Sequence, residues 1–230
     1  MSIAENIAQV RAHMAEAARE AGRDPKEILL VGASKMNDAA ACREAVAAGI
    51  DALGENRVQE MVQKLSEHAY DGAPLHFIGH LQRNKVNKVV GQAALIQSVG
   101  SVELLAEIEK AAAARGLTQD ILLEVNVGRE AAKSGFAPED TFAAAEAALE
   151  KPHVRVRGLM TIPPADADRD TNMRYFEKVR TLYVDINAKL FHNGLEYLSM
   201  GMSGDYADAI RCGATMVRVG TAIFGARHYL

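Results

Sequence analysis

The 230-residue chain is 49% hydrophobic and 24% charged, ordinary globular usage and enough to bury one sizeable core. A net charge of −4 gives no basic face for nucleic acid or an anionic membrane, and no uncharged apolar run approaches the roughly 18 residues of a membrane span. Two distant cysteines, Cys42 and Cys212, fit neither a disulfide framework nor a metal cluster; with Glu5 where a secretory leader would be basic, they predict a soluble chain of the reducing cytoplasm.

Taken in order, Ser2-Ile3-Ala4-Glu5 has capping-box spacing, and Ile3, Ile7, Val10 and Met14 recur at helical intervals up to Gly22. Asp24-Pro25 turns the chain into the apolar run Ile28–Ser34, a strand ending in Lys35. Helix Ala39–Ala48, strand Asp51–Asn56, helix Val58–His68 and strand Leu75–His80 follow, then a short polar helix holding Asn84, Lys85 and Lys88. Strand Leu95–Val99 leads to a helix that Ser101 can cap, and strand Ile121–Val127 to a loop with Arg129, Lys133 and Gly135. Pro138 is expected in the first turn of the next helix. Strand Val154–Ile162, a helix of roughly four or five turns through Tyr175 and Leu190, strand Leu195–Met200, helix Tyr206–Cys212 and strand Thr215–Phe224 complete the series.

Eight strands, each but the last followed by a helix, imply an α/β fold with a parallel sheet, and this length suits one closed (β/α)8 TIM barrel over residues 1–230. The extra N-terminal helix can cover the barrel bottom or pack beside the last strand. An open doubly wound sheet is the competitor, but no strand runs into G-x-G-x-x-G and no G-x-x-x-x-G-K occurs.

Closing the barrel sets the carboxyl ends of strands seven and eight beside Lys35. Ser199–Asp205 is a Gly/Ser turn entering a helix, and Gly220-Thr221 allows close backbone approach beside a hydroxyl. Loops after strands seven and eight of barrels frequently form a phosphate cup; the alternative is that these glycines only make turns and Asp205 only caps a helix. Arg218 interrupts an apolar strand and shares the inward face with Met216 and Gly220. A buried guanidinium needs a partner, either an acceptor on a ligand or the carboxylate of Glu55 or Glu124. Lys35 reads in two ways: as a surface lysine, or as a partly desolvated amine able to attack a carbonyl. An amine, a phosphate cup and an arginine together suit a phosphorylated aldehyde. His76 and His80, about 13 Å apart along a strand, are too distant for one metal ion. Ser34 has no histidine and aspartate at triad spacing, and alternation turns it away from Lys35.

The residues also carry a resemblance. Leu30–Lys35, Gly54-Glu55-Asn56 with Val58-Gln59-Glu60, His76–Lys85, Val125-Asn126 with Glu130, Lys133 and Gly135, Gly158–Ile162, Leu198–Ser203 with Asp205, and Val217–Gly225 resemble the pyridoxal phosphate homeostasis proteins, single-domain barrels related to the N-terminal domain of alanine racemase. The resemblance implies pyridoxal 5′-phosphate held as a Schiff base on Lys35, with Arg218 facing the pyridine nitrogen and Asn56 at the ring side. Ser203, Gly220 and Thr221 would hold the phosphate. The chain departs from the family after the lysine, at Met36-Asn37-Asp38, and at Arg57, where an aromatic is usual. The implied role is cofactor storage and delivery to pyridoxal-dependent apo-enzymes rather than turnover; a closed barrel with no obvious apolar stripe predicts a monomer. An amino-acid racemase or related lyase is the second reading, disfavoured because the chain stops after strand eight and only Lys35 is evident as an acid/base. A cofactor-free Schiff-base aldolase is the third, and would need a carboxylate beside Lys35.

Overall fold

The computed structural model describes residues 1–225; the last five of the expected 1–230 domain lie outside the described residues. Its elements run α1 (Ile3–Glu20), β1 (Leu29–Ala33), α2 (Ala39–Ala47), β2 (Ala52–Glu55), α3 (Val58–Ser66), β3 (Leu75–Phe77), α4 (Val86–Val89), β4 (Leu95–Val99) and α5 (Val102–Ala113). They continue with β5 (Gln119–Val125), α6 (Thr141–Leu149), β6 (Val154–Thr161), α7 (Arg169–Leu190), β7 (Tyr197–Ser199), α8 (Tyr206–Arg211), β8 (Met216–Val219) and α9 (Thr221–Phe224). The strands are parallel and form a closed barrel in sequence order, shut by β1 against β8 with Val31 opposite Arg218. Closure excludes the open doubly wound sheet.

Local chemistry sets the ends of these elements. Ser2 and Glu5 form the expected capping box: Glu5 N donates to Ser2 Oγ at 3.2 Å and Ser2 N to Glu5 Oε2 at 2.8 Å. Asp38, Ser101 and Asp168 cap α2, α5 and α7 by accepting backbone N–H groups. Helix α1 buries Ile7, Val10, Met14, Ala17 and Ala18 and packs in the outer layer against α2, α8 and α9, so it stands beside the last strand's helices. The barrel interior is filled by Val31, Ala52, Leu95, Leu122, Met160 and Met216. The opposite faces of the same strands, carrying Leu30, Leu53, Phe77, Ile96 and Val217, pack against the helices. Gly158 is demanded by close approach: a Cβ there would lie 1.7 Å from the Tyr197 carbonyl oxygen.

Three local expectations are corrected. Pro138 opens a turn, with Asp140 N bonded to Ala137 O, and α6 starts only at Thr141. Helix α7 spans 22 residues, longer than its apolar spacing suggested. Strand eight ends at Val219, because Gly220 (φ −110, ψ −82) turns the chain and Thr221–Phe224 is helical. Among the described residues no helix is long and apolar enough to cross a membrane.

Candidate functional site

Lys35 sits two residues beyond the last residue of β1, half-buried in the turn that leads to α2. Alternation sends its neighbour Ser34 to the outer face of the barrel wall. There Ser34 Oγ donates to Glu55 Oε1 at 2.7 Å, and Glu55 pairs with Lys64 of α3. Glu55, Lys64 and Ser34 are all buried, between the barrel and its helices. Glu55 is thereby corrected as a partner for Arg218: it faces the other way and is already committed.

Arg218 does point inward and is 3% exposed. Its partners are uncharged acceptors: Nη1 donates to Ser199 Oγ at 2.6 Å and Nη2 to the Thr161 carbonyl at 2.9 Å. Burial lowers its pKa to about 10, against the opposing pull of Asp205 and Glu124, so it remains a cation at neutral pH. Glu124 acts on it through space only; its Oε2 accepts from Ser134 Oγ at 2.9 Å, and burial pushes its carboxyl up. From Ser199 a chain of buried polar groups crosses the barrel. Ser199 Oγ donates to Gln97 Oε1 at 2.6 Å, and Gln97 Nε2 lies 3.0 Å from His76 Nδ1 and 3.2 Å from Met216 Sδ.

Beside Arg218, the ends of β7 and β8 form a pocket of backbone donors. Gly201 (φ 95) brings the turn against α8, where a Cβ would lie 2.6 Å from that of Ala209. Its carbonyl accepts from Arg218 N at 3.0 Å, tying the two strand ends together. The N–H groups of Gly220 and Ala222 converge on one oxygen, Ser203 Oγ, at 3.2 and 3.4 Å. Thr221 lies exposed between them. Asp205 does not cap α8 with its side chain; its carboxylate accepts from Met202 N at 2.6 Å and from Asn172 Nδ2 at 2.8 Å, holding the turn.

These pieces share one rim. A Cβ on Gly220 would meet the Ala33 carbonyl at 3.4 Å, so the donor pocket abuts the strand that presents Lys35. Asn56 follows β2, the neighbour of β1, and its Oδ1 is buried with no hydrogen-bond partner among the described residues. Asn56 also lines a cavity with Ile78, Glu124, Lys133 and Ile162. Among the described residues no group of three or more His, Cys, Asp or Glu could hold a metal ion.

Sequence reasoning thus locates Lys35, Arg218 and the donor pocket, but misses what supports them. His76, Gln97 and Ser199 carried a usable signal, as polar residues in otherwise apolar strands. On α3, Glu60 stood in a stretch that carries the resemblance but with no role attached, and Lys64 carried no signal, because charges on an amphipathic helix are ordinary.

A family model described as alanine racemase, N-terminal domain, matches residues 2–228. The chain is 45% identical over 228 residues to the pyridoxal phosphate homeostasis protein of Pseudomonas aeruginosa, covering 99% of this chain and 97% of that protein. It is similar to PipY of Synechococcus elongatus solved with PLP bound, at TM-score 0.85 and 33% identity over 97% of this chain and 100% of that one. An alanine racemase of Clostridium difficile shares the fold alone, at TM-score 0.72 and 16% identity over 98% of this chain and 57% of that one.

Proposed function

The chain belongs to the pyridoxal phosphate homeostasis proteins, within the alanine racemase N-terminal domain family, and from that premise we propose that it binds pyridoxal 5′-phosphate and keeps it in store. Lys35 is the covalent anchor, Arg218 the neighbour of the pyridine nitrogen, and Asn56 the contact at the ring side. Ser203, Gly220 and Thr221 hold the phosphate. When bound, the cofactor supplies an aldehyde that a primary amine captures reversibly. The observation that carries this reading is the abutment of Gly220 on Ala33, which joins a pocket of N–H donors to the strand end bearing the amine.

The residues fit such a group. Gly220 and Ala222 aim two N–H groups at one oxygen, now that of Ser203, where an anionic oxygen can compete for them. Asn56 Oδ1 is an acceptor in want of a donor. Arg218 bears on the choice between storage and turnover. A guanidinium donates but does not accept a proton, so beside the pyridine nitrogen it disfavours ring protonation and weakens the electron sink that racemisation needs. The arginine alone does not separate the two, because the related racemases resemble the chain at this position; the names of the relatives support retention over catalysis. We further propose a monomeric cytoplasmic protein that hands its cofactor to pyridoxal-dependent apo-enzymes; the buried, unpaired state of Cys42 and Cys212 suits a reducing compartment.

The test is spectroscopic. Protein loaded with pyridoxal 5′-phosphate should absorb in the visible, and borohydride should fix the cofactor to the peptide containing Lys35. Lys35→Ala should lose the fixed label while retaining weak phosphate-dependent binding. Turnover of a free amino acid well above that of the Lys35→Ala variant overturns the storage reading.

A further inference from the structure

Helix α3 grips the turn carrying Lys35 at two peptide groups. The carbonyl of Ser34, just before the lysine, accepts from Lys64 Nζ at 2.8 Å. The amide of Met36, just after it, donates to Glu60 Oε2 at 2.8 Å. Glu60 and Lys64 lie four residues apart on one face of the helix and approach each other to 3.8 Å. Each is fixed in turn: Lys64, 5% exposed, is paired with Glu55, and Glu60 has Arg57 at 3.6 Å. The held segment is under backbone strain. Met36 has φ 63, a left-handed conformation that an L side chain keeps only where its surroundings impose it. Asn37 adds a local brace, with Nδ2 donating to the Lys35 carbonyl at 3.1 Å.

We infer that Glu60 and Lys64 are positioning residues that set the direction in which Lys35 leaves β1, and so how completely bound pyridoxal 5′-phosphate becomes linked to it. This rests on the cofactor reading above and deepens it: the phosphate pocket decides whether the cofactor is held, and the α3 grip decides whether the amine meets it. Neither residue touches the cofactor. Their effect is on the covalent fraction rather than on total binding.

Two substitutions at the partly exposed Glu60 test this. Glu60→Gln keeps an acceptor oxygen for the Met36 amide, while Glu60→Met removes it. In cofactor-free protein, amide hydrogen exchange at residue 36 should be about fivefold or more faster in Glu60→Met than in Glu60→Gln or the unsubstituted protein. In loaded protein, hydroxylamine should release the cofactor about fivefold faster from Glu60→Met, with a smaller share fixed by borohydride and total bound phosphate ester unchanged. Equal exchange at residue 36 in all three proteins overturns the grip. Equal release rates, or Glu60→Gln behaving as Glu60→Met, overturn its role in positioning. If the unsubstituted protein fixes no cofactor at Lys35, the storage reading fails by itself, and the exchange measurement on cofactor-free protein still decides whether the grip exists.

Discussion

The chain of polar groups behind Arg218 has a direction, and the direction makes a prediction about acid. Arginine can only donate, so Ser199 Oγ must accept from it and give its own proton to Gln97 Oε1. Gln97 is then oriented with Nε2 toward His76 Nδ1 at 3.0 Å, so that nitrogen accepts and the ring proton sits on Nε2. A protonated His76 would set N–H against N–H. Burial independently lowers its pKa from 6.5 to about 4. Between those values the unfolded chain binds a proton that the folded chain refuses, so stability falls as pH falls through the window and levels off below it. A shift of about 2.5 units corresponds to about 3 kcal/mol in full, of which about 2 kcal/mol is lost between pH 7 and pH 4.5. His76→Asn keeps an acceptor near the ring position and does not titrate. Urea unfolding at pH 7 and at pH 4.5 compares the two proteins, and the carboxylates common to both cancel. The unsubstituted protein should lose about 2 kcal/mol more than His76→Asn between the two pH values. Parallel losses would refute both the buried neutral histidine and the direction assigned to the chain.

Other consequences can be read from the same contacts. Ser199→Ala leaves Arg218 Nη1 and Gln97 Oε1 without partners inside the barrel, and should cost about 2–3 kcal/mol, a fall in melting temperature of roughly 4–10 °C by calorimetry. Lys64→Met strips the fully buried Glu55 of its ion pair; urea unfolding should show a loss of about 3–5 kcal/mol, and adding Glu55→Gln should recover much of it. Gly79→Ala would place a Cβ 2.2 Å from the Asn56 carbonyl oxygen. The Asn56 backbone must then move, costing about 1–3 kcal/mol in stability and weakening pyridoxal 5′-phosphate binding in an equilibrium titration.

Apolar runs of strand length separated by helical patterns made the barrel legible, and with it the rim on which Lys35 and the β7–β8 turn had to meet. Register was not legible, and register decided Arg218. Charge alone offered Glu55 or Glu124 as its partner, but β6, β7 and β8 pair so that Ser199 lies opposite both Met160 and Met216, which sets its hydroxyl beneath the guanidinium. The helical Thr221–Phe224 was hidden for a different reason. Val219-Gly220-Thr221-Ala222-Ile223-Phe224 is continuous in hydrophobicity, and only the backbone turn at Gly220 ends the strand. Pro138 shows the converse: proline suits the first turn of a helix and the corner of a tight turn equally, and here the Ala137–Asp140 turn takes it.

The pairing of Arg218 has an electrostatic consequence for the whole rim. A cation that is 3% exposed and, among the described residues, hydrogen-bonded to a hydroxyl and a carbonyl keeps its full charge, because neither partner neutralises it. Asp205 and Glu124 offset it from a distance; Asp205 is held by the neutral donors Met202 N and Asn172 Nδ2, and burial pushes the Glu124 carboxyl up. The Arg218 charge and the N–H groups that converge on a single oxygen both favour an anion at the mouth of the barrel. Such a mouth favours an anionic ester over a neutral aldehyde of the same shape, and strengthens that preference as salt is lowered. Pyridoxal and pyridoxal 5′-phosphate differ only by that ester. The change in their relative affinity between two ionic strengths, measured on Lys35→Ala so that covalent capture does not contribute, reports this field; a ratio that does not move with salt would mean that the charge of Arg218 is screened from the site.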